Sequence, residues 1–218
     1  VLLVTGLVLV LLIMRRIFSP LSKLRANLRE RQAQWHGVVN FLNVFARSLG
    51  SDRELKEILP HIARYTARIL RAESVGIYQF ERHDEAHLAL LYPTAISGPF
   101  PLFDGDKSGI PLPRKSDERL QALRKYPLQP GEGLIGQVAE TGESVVIRRR
   151  AQVRGVTIPF VVDTCIATPI TLRDQTIGVL CAVNRRFGAA AFDRRDRYML
   201  KQLAFQVGIG IDLISIYD

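Results

Sequence analysis

The chain has 218 residues, 47% of them hydrophobic, with 30 lysines and arginines against 21 acidic residues and a formal net charge of +9. That length holds one well-buried domain of about 150 residues plus an extension. The positive excess admits an anionic membrane or a nucleic acid as partner. The two cysteines, Cys165 and Cys181, exclude a disulfide scaffold and a cysteine zinc site and point to a reducing compartment.

Residues 1–14 are apolar apart from Thr5 and Gly6 and stop at Arg15-Arg16. As a helix they would span about 21 Å, short of the roughly 30 Å of bilayer hydrocarbon. Two readings compete: the inner part of a transmembrane helix cut by the start of the chain, or the apolar core of a signal peptide. No charged region precedes the run, no initiator Met is present, and basic residues stand where a small-residue cleavage site would be, so the first is favoured. Arg15, Arg16, Lys23, Arg25, Arg29 and Arg31 follow the positive-inside rule, which implies an inner-membrane protein with its remainder in the cytoplasm.

Over 15–50, Ile17, Leu21, Leu24, Leu28, Trp35, Val38, Leu42, Phe45 and Leu49 alternate spacings of four and three, interrupted at Arg31. This is the seam of a parallel coiled coil and predicts a homodimer joined by a juxtamembrane signalling helix. A helix lying on its own domain or on lipid is the alternative.

From residue 51 the pattern becomes that of a domain, 51–218. Ser51 and Glu54 make a capping-box pair before a helix whose apolar face runs from Leu55 to Leu70 and which Pro60 should kink or divide. Strands are predicted over 74–80 and 88–96 around a charged turn. His83 and His87 have the four-residue spacing of a helical metal pair, but a polar turn offers no helical face to hold it. Residues 97–130 are loop-like apart from a short helix over 117–126. Asp104 and Asp106 lack the remaining ligands of a calcium loop and read as a turn.

Gly131, Gly133 and Gly136 match G-x-G-x-x-G, yet Tyr126 to Pro130 is no buried strand, so a dinucleotide site is rejected. The glycines instead serve a tight entry into a short helix over 134–141, ended by Gly142. An edge strand over 144–147 and a basic loop over 148–163 lead to a hairpin: strand 166–172, turn Arg173-Asp174-Gln175, strand 176–184. Phe192 follows, then Asp193 and Asp196 as an acidic capping box before the last helix. There Leu200, Leu203, Ala204, Val207, Ile211 and Ile214 should cover the sheet. Leu203, Val207, Gly210, Ile214 and Tyr217 also fit a second dimer seam.

Asn184, Arg185, Phe192 and Asp196 resemble the Asn-Lys, Phe, Asp-Glu pattern of the GAF domains, small α/β sensory modules, with Arg for Lys at 185 and Arg197 where Glu is usual. The loop 130–139 and the strand Ala167-Thr168-Pro169-Ile170 are similar to further parts of that family. The resemblance covers roughly 55–213. It implies an α+β fold, an antiparallel sheet flanked by helices, preceded here by the membrane segment and coiled-coil helix. It also implies an Arg185–Asp196 ion pair, Phe192 in the core, a mobile cover for the pocket within 97–130 or an ordinary loop there, and a small-molecule pocket lined by Tyr78, Asp163, Thr164, Cys165 and Ala167. Some members bind cyclic nucleotides with this pattern and others do not, and the cofactor is unassigned.

No nucleophile elbow, P-loop, HExxH or C-x-x-C motif is present, so no catalytic residue is named. The basic clusters lack interleaved aromatics, so nucleic acid is not expected. Function is therefore expected to be that of a membrane-anchored, dimeric sensory module. The alternative is the regulatory part of an enzyme. The order of span, helix and GAF-like domain resembles bacterial proteins ending in a PPM-type phosphatase, favoured here, a histidine kinase or a diguanylate cyclase.

Overall fold

The central hairpin is longer and tighter than its sequence pattern suggested. In the computed structural model, β4 (Cys165–Leu172) and β5 (Gln175–Arg185) pair antiparallel, with Leu172 opposite Gln175. The turn is therefore the two residues Arg173 and Asp174, at φ 48° and 63°. Left-handed backbone at both positions matches the twist of the flanking strands, as in two-residue hairpins generally. The structure describes residues 55–82, 89–103, 110–149, 158–159, 161–186 and 191–215. The chain divides into two units, Val1–Val44 and Phe45–Asp218, and the described residues all lie in the second.

Around the hairpin come β1 (Ala72–Arg82), β2 (Ala89–Ser97) and β3 (Val145–Ile147), in the sheet order β2-β1-β5-β4-β3, every pair antiparallel. The helices are α1 (Leu55–Ile69), α2 (Ser116–Arg124), α3 (Gly133–Thr141) and α4 (Arg194–Ser215). This is the α+β architecture expected, with β3 at the edge. Among the described residues no helix is long and apolar enough to cross a membrane. The expected membrane segment (1–14), coiled coil (15–50), Ser51–Glu54 cap, His83–His87 pair and Asp104–Asp106 turn all fall outside the described residues.

Alternation along the strands buries both faces. Tyr78, Cys165, Ala167, Val179, Cys181 and Val183 join one cluster with Phe100 and the α3 residues Leu134, Ile135 and Val138. The intervening Val75, Ile77, Ile166, Leu180 and Ala182 are buried on the other face, where α1 packs on β1 and β2 and α4 on β4. Pro60 does not divide α1, which runs unbroken across it. The missing donor is outweighed by Ile58, Leu59, Ile62 and Ala63, all buried on either side of it.

α4 corrects one expectation. Leu200, Leu203, Ala204 and Val207 are buried as predicted, but Leu203, Val207 and Gly210 cannot also form an outward seam, because the domain itself covers them. The outward apolar residues are Tyr198, Phe205 and Ile209, which are 64%, 55% and 42% exposed. Gly208 brings this helix close to β4: a Cβ there would lie 2.5 Å from the Thr171 carbonyl oxygen.

Candidate functional site

The residues named from the resemblance divide into a floor and a rim. Tyr78, Cys165 and Ala167 are brought together on the α3 side of the sheet, fully enclosed. Asp163 is exposed and Thr164 half-buried where the preceding loop enters β4. Asn184, at φ 49°, holds that rim. Its Oδ1 accepts from the backbone N–H groups of Asp163 (2.9 Å) and Thr164 (3.3 Å), and its Nδ2 donates to the Val161 carbonyl (2.9 Å) and Glu73 (3.1 Å). The Thr164 hydroxyl is buried with no hydrogen-bond partner among the described residues.

The floor is apolar and uncharged. Burial pushes the Tyr78 phenol far above its usual range, with Cys181 adding to the effect. The thiols of Cys165 and Cys181 stand 3.3 Å apart, and burial raises the Cys181 thiol well above its ordinary value. Both cysteines are buried, the condition in which thiols are unreactive.

Above the floor lies Phe100, which the sequence reading placed within a loop. Its ring rests on Gly76, where a Cβ would come within 2.6 to 2.8 Å of it, and it stacks at tilted angles on Tyr78 and Phe103, centroids 6.1 and 5.6 Å away. Phe100 and Phe103 are fully buried, so the segment 100–103 covers this face of the sheet like a plug. The plug is tied by Arg119 of α2, whose Nη1 donates to the Phe100 carbonyl (2.9 Å) and Nε to that of Pro113 (2.8 Å). Arg124 fixes α2 to the first hairpin through two 2.9 Å bonds to Glu81 and one of 3.1 Å to the Pro93 carbonyl. The clue in the sequence was Gly76, a glycine inside a strand, which marks a close approach.

At the far end of β5 the capping box forms as expected. The Asp193 N–H donates to Asp196 Oδ2 (2.8 Å), and the Asp196 and Arg195 amides donate to Asp193 Oδ1 (3.0 and 2.7 Å). Arg185 pairs with Asp196 at 3.1 Å beside the fully buried Phe192. The Asp196 amide, with that of Arg195 and the nearby guanidiniums, holds the Asp193 carboxyl below its usual range, whereas burial pushes Asp196 up against the pull of Arg185. The G-x-G-x-x-G glycines also behave as read. Gly131 and Gly133 adopt left-handed backbone, and a Cβ on Gly136 would meet the Gln129 carbonyl at 2.3 Å.

The sequence profile of the GAF domain matches residues 54–211, and the chain belongs to this family. No curated protein matches it in sequence. Solved structures share the fold at low identity. The GAF domain of phosphoenolpyruvate-protein phosphotransferase from Acinetobacter is 19% identical, with a TM-score of 0.57 over 80% of this chain and 92% of that one. Free methionine-R-sulfoxide reductase from Neisseria meningitidis, solved with its substrate, is 16% identical, with a TM-score of 0.59 over 82% and 89%. A GAF domain/HD domain protein from Geobacter sulfurreducens is 14% identical, with a TM-score of 0.55 over 75% and 95%. The module is thus a signalling and sensory one of a kind found in many regulators.

Proposed function

We propose that this GAF domain is a non-catalytic sensor whose pocket face and α4 are the two ends of one relay, working as a membrane-anchored dimer that passes a signal to an output module. The observation that carries the reading is the two-sidedness of α4. Its inner stripe packs on the sheet whose other face carries Tyr78, Cys165 and Ala167, and its outer stripe of Tyr198, Phe205 and Ile209 is exposed. A ligand entering must displace the Phe100–Phe103 plug, and it acts only by binding one arrangement better than the other.

The floor suits an uncharged, flat ligand, because an anion there would lie among buried apolar side chains with no cationic group beside it. That disfavours a cyclic nucleotide. Of the possible outputs, a PPM-type phosphatase is favoured by the order of predicted span, helix and sensory module. A second reading takes its cue from the sulfoxide reductase named above, an enzyme on the same fold. A thiol reaction requires an accessible sulfur, and both Cys165 and Cys181 are buried.

Sedimentation of the chain from Arg15 onward tests the dimer. It should run as a two-chain species, and Phe205→Asp with Ile209→Asp should shift it to single chains without loss of folded signal. Single chains at every concentration in the unaltered protein would remove the relay. Native mass spectrometry of the purified domain would show whether a small molecule is retained.

A further inference from the structure

A cavity lies away from the Tyr78 face of the sheet, at the corner where α1 turns into β1. This open cleft of about 450 Å³ is lined by Arg64, Ala67, Arg68, Arg71, Ser97 and Arg186. Four of its six walls are guanidiniums, and no lining residue is acidic. Among the described residues none of the four arginines is in an ion pair.

The arrangement is built by two separate parts of the chain. Arg64 and Arg68, four residues apart, share one stripe in the last turns of α1, and Arg71 follows two residues past its end. Ala67 between them leaves room for the concavity. Arg71 departs from the helix at φ 49°, and its carbonyl accepts the backbone N–H of Arg186 at 2.8 Å. Arg186 then donates its Nε to the Ala72 carbonyl at 3.0 Å, which fixes that guanidinium against the start of β1. Ser97, at the end of β2 opposite Val75, offers a hydroxyl in the wall.

An arginine in the last turn of a helix is commonly explained by the dipole, and Arg68 taken alone needs nothing more. Two arginines on one helix stripe with a third just past its end are commonly a solvated face. Neither account covers a fourth arginine brought from the end of the neighbouring strand β5 into the same concavity, because like charges so placed repel one another. A bound anion reverses the sign of that interaction, and the guanidinium fork matches phosphate oxygens two at a time.

We infer that this cleft is an anion site for a ligand carrying two or more phosphate groups, held by Arg64, Arg68, Arg71 and Arg186 with Ser97 as a neutral donor. One phosphate carries at most two negative charges, whereas four guanidiniums and a volume of this size match a bisphosphate. A free phosphorylated metabolite and a phosphorylated lipid headgroup share this chemistry. The site is independent of the ligand assigned to the pocket face, and it survives if that assignment fails.

The test uses the full chain in nonionic detergent, titrated with pyrophosphate by calorimetry, beside Arg64→Gln/Arg68→Gln. Both positions are exposed on α1 and glutamine is a good helix former, so the variant's thermal midpoint should match the parent's. Pyrophosphate should bind, and the variant should lose roughly tenfold or more, because each charge-assisted contact is worth about a factor of ten. A second arm compares phosphatidylcholine vesicles with and without phosphatidylinositol 4,5-bisphosphate. Capture by the second vesicles alone, lost in the variant, assigns the lipid source. Equal binding by parent and variant in both arms, no binding in either, or sulfate held as tightly as pyrophosphate would overturn the site.

Discussion

Arg185 and Arg186 are neighbours in sequence and lie in two differently built regions. Arg185 belongs to the junction of β5 and α4, where its charge meets Asp196 at 3.1 Å and its guanidinium stands over Phe192. Arg186 belongs to the corner of α1 and β1, where three further arginines share its cavity. At the junction Arg185 and Asp196 pair within the chain, and the region holds the fold. At the corner the four arginines have no ion pair among the described residues.

The largest break in that contrast should come from Phe192→Ala, which empties the junction and should cost about 3–5 kcal/mol by denaturant unfolding. A comparable loss from Arg64→Gln would abolish the distinction. Next is Arg185→Gln, which leaves the nearly buried Asp196 carboxylate short of its cation and should cost about 1–3 kcal/mol. The corner variants should lie within about 0.5 kcal/mol of zero.

Asp193→Ala removes the acceptor for two amides and should cost about 1 kcal/mol. Its pH dependence sharpens the point. A carboxyl held below its ordinary value contributes stability above about pH 4, lost as the pH falls through the folded value. Asp196, raised by burial, has the opposite sign: its protonation on acidification offsets part of that loss. Thermal midpoints between pH 7 and 3 should therefore fall less steeply in Asp193→Asn than in the parent.

The smallest effect is the most specific to the corner. Added salt screens like charges, so raising it from 0.02 to 0.5 M should stabilise the parent slightly more than Arg64→Gln/Arg68→Gln, by a few tenths of a kcal/mol. A gain of equal size in both would place the arginines too far apart to interact.

Much of the junction could be read from the chain because its signals are local. Asp193 and Asp196 are three residues apart, Gly142 ends α3 with φ 67°, and the apolar runs around Arg173-Asp174 define a hairpin. The pocket face was legible only in part. Tyr78, Cys165 and Ala167, named from the family pattern, lie in one buried cluster, whereas the cover by Phe100 depends on a contact with Gly76 across 24 positions of chain. α4 failed in register for a further reason: a stripe that covers a sheet and one that pairs two helices share the same spacing. Only burial separates Leu203 and Val207 from Phe205 and Ile209. The arginine corner went unread because Arg186 lies over a hundred residues from Arg64.

Gly208 has a mechanical consequence for the sensor. With hydrogen in place of a side chain, α4 lies down on the carbonyl of Thr171, and the helix has no slack in that direction. Adding one methyl group there would lift the rod from the strand. Tyr198, Phe205 and Ile209 would move outward with it, so the seating depth of the outer stripe is set by an atom that is missing.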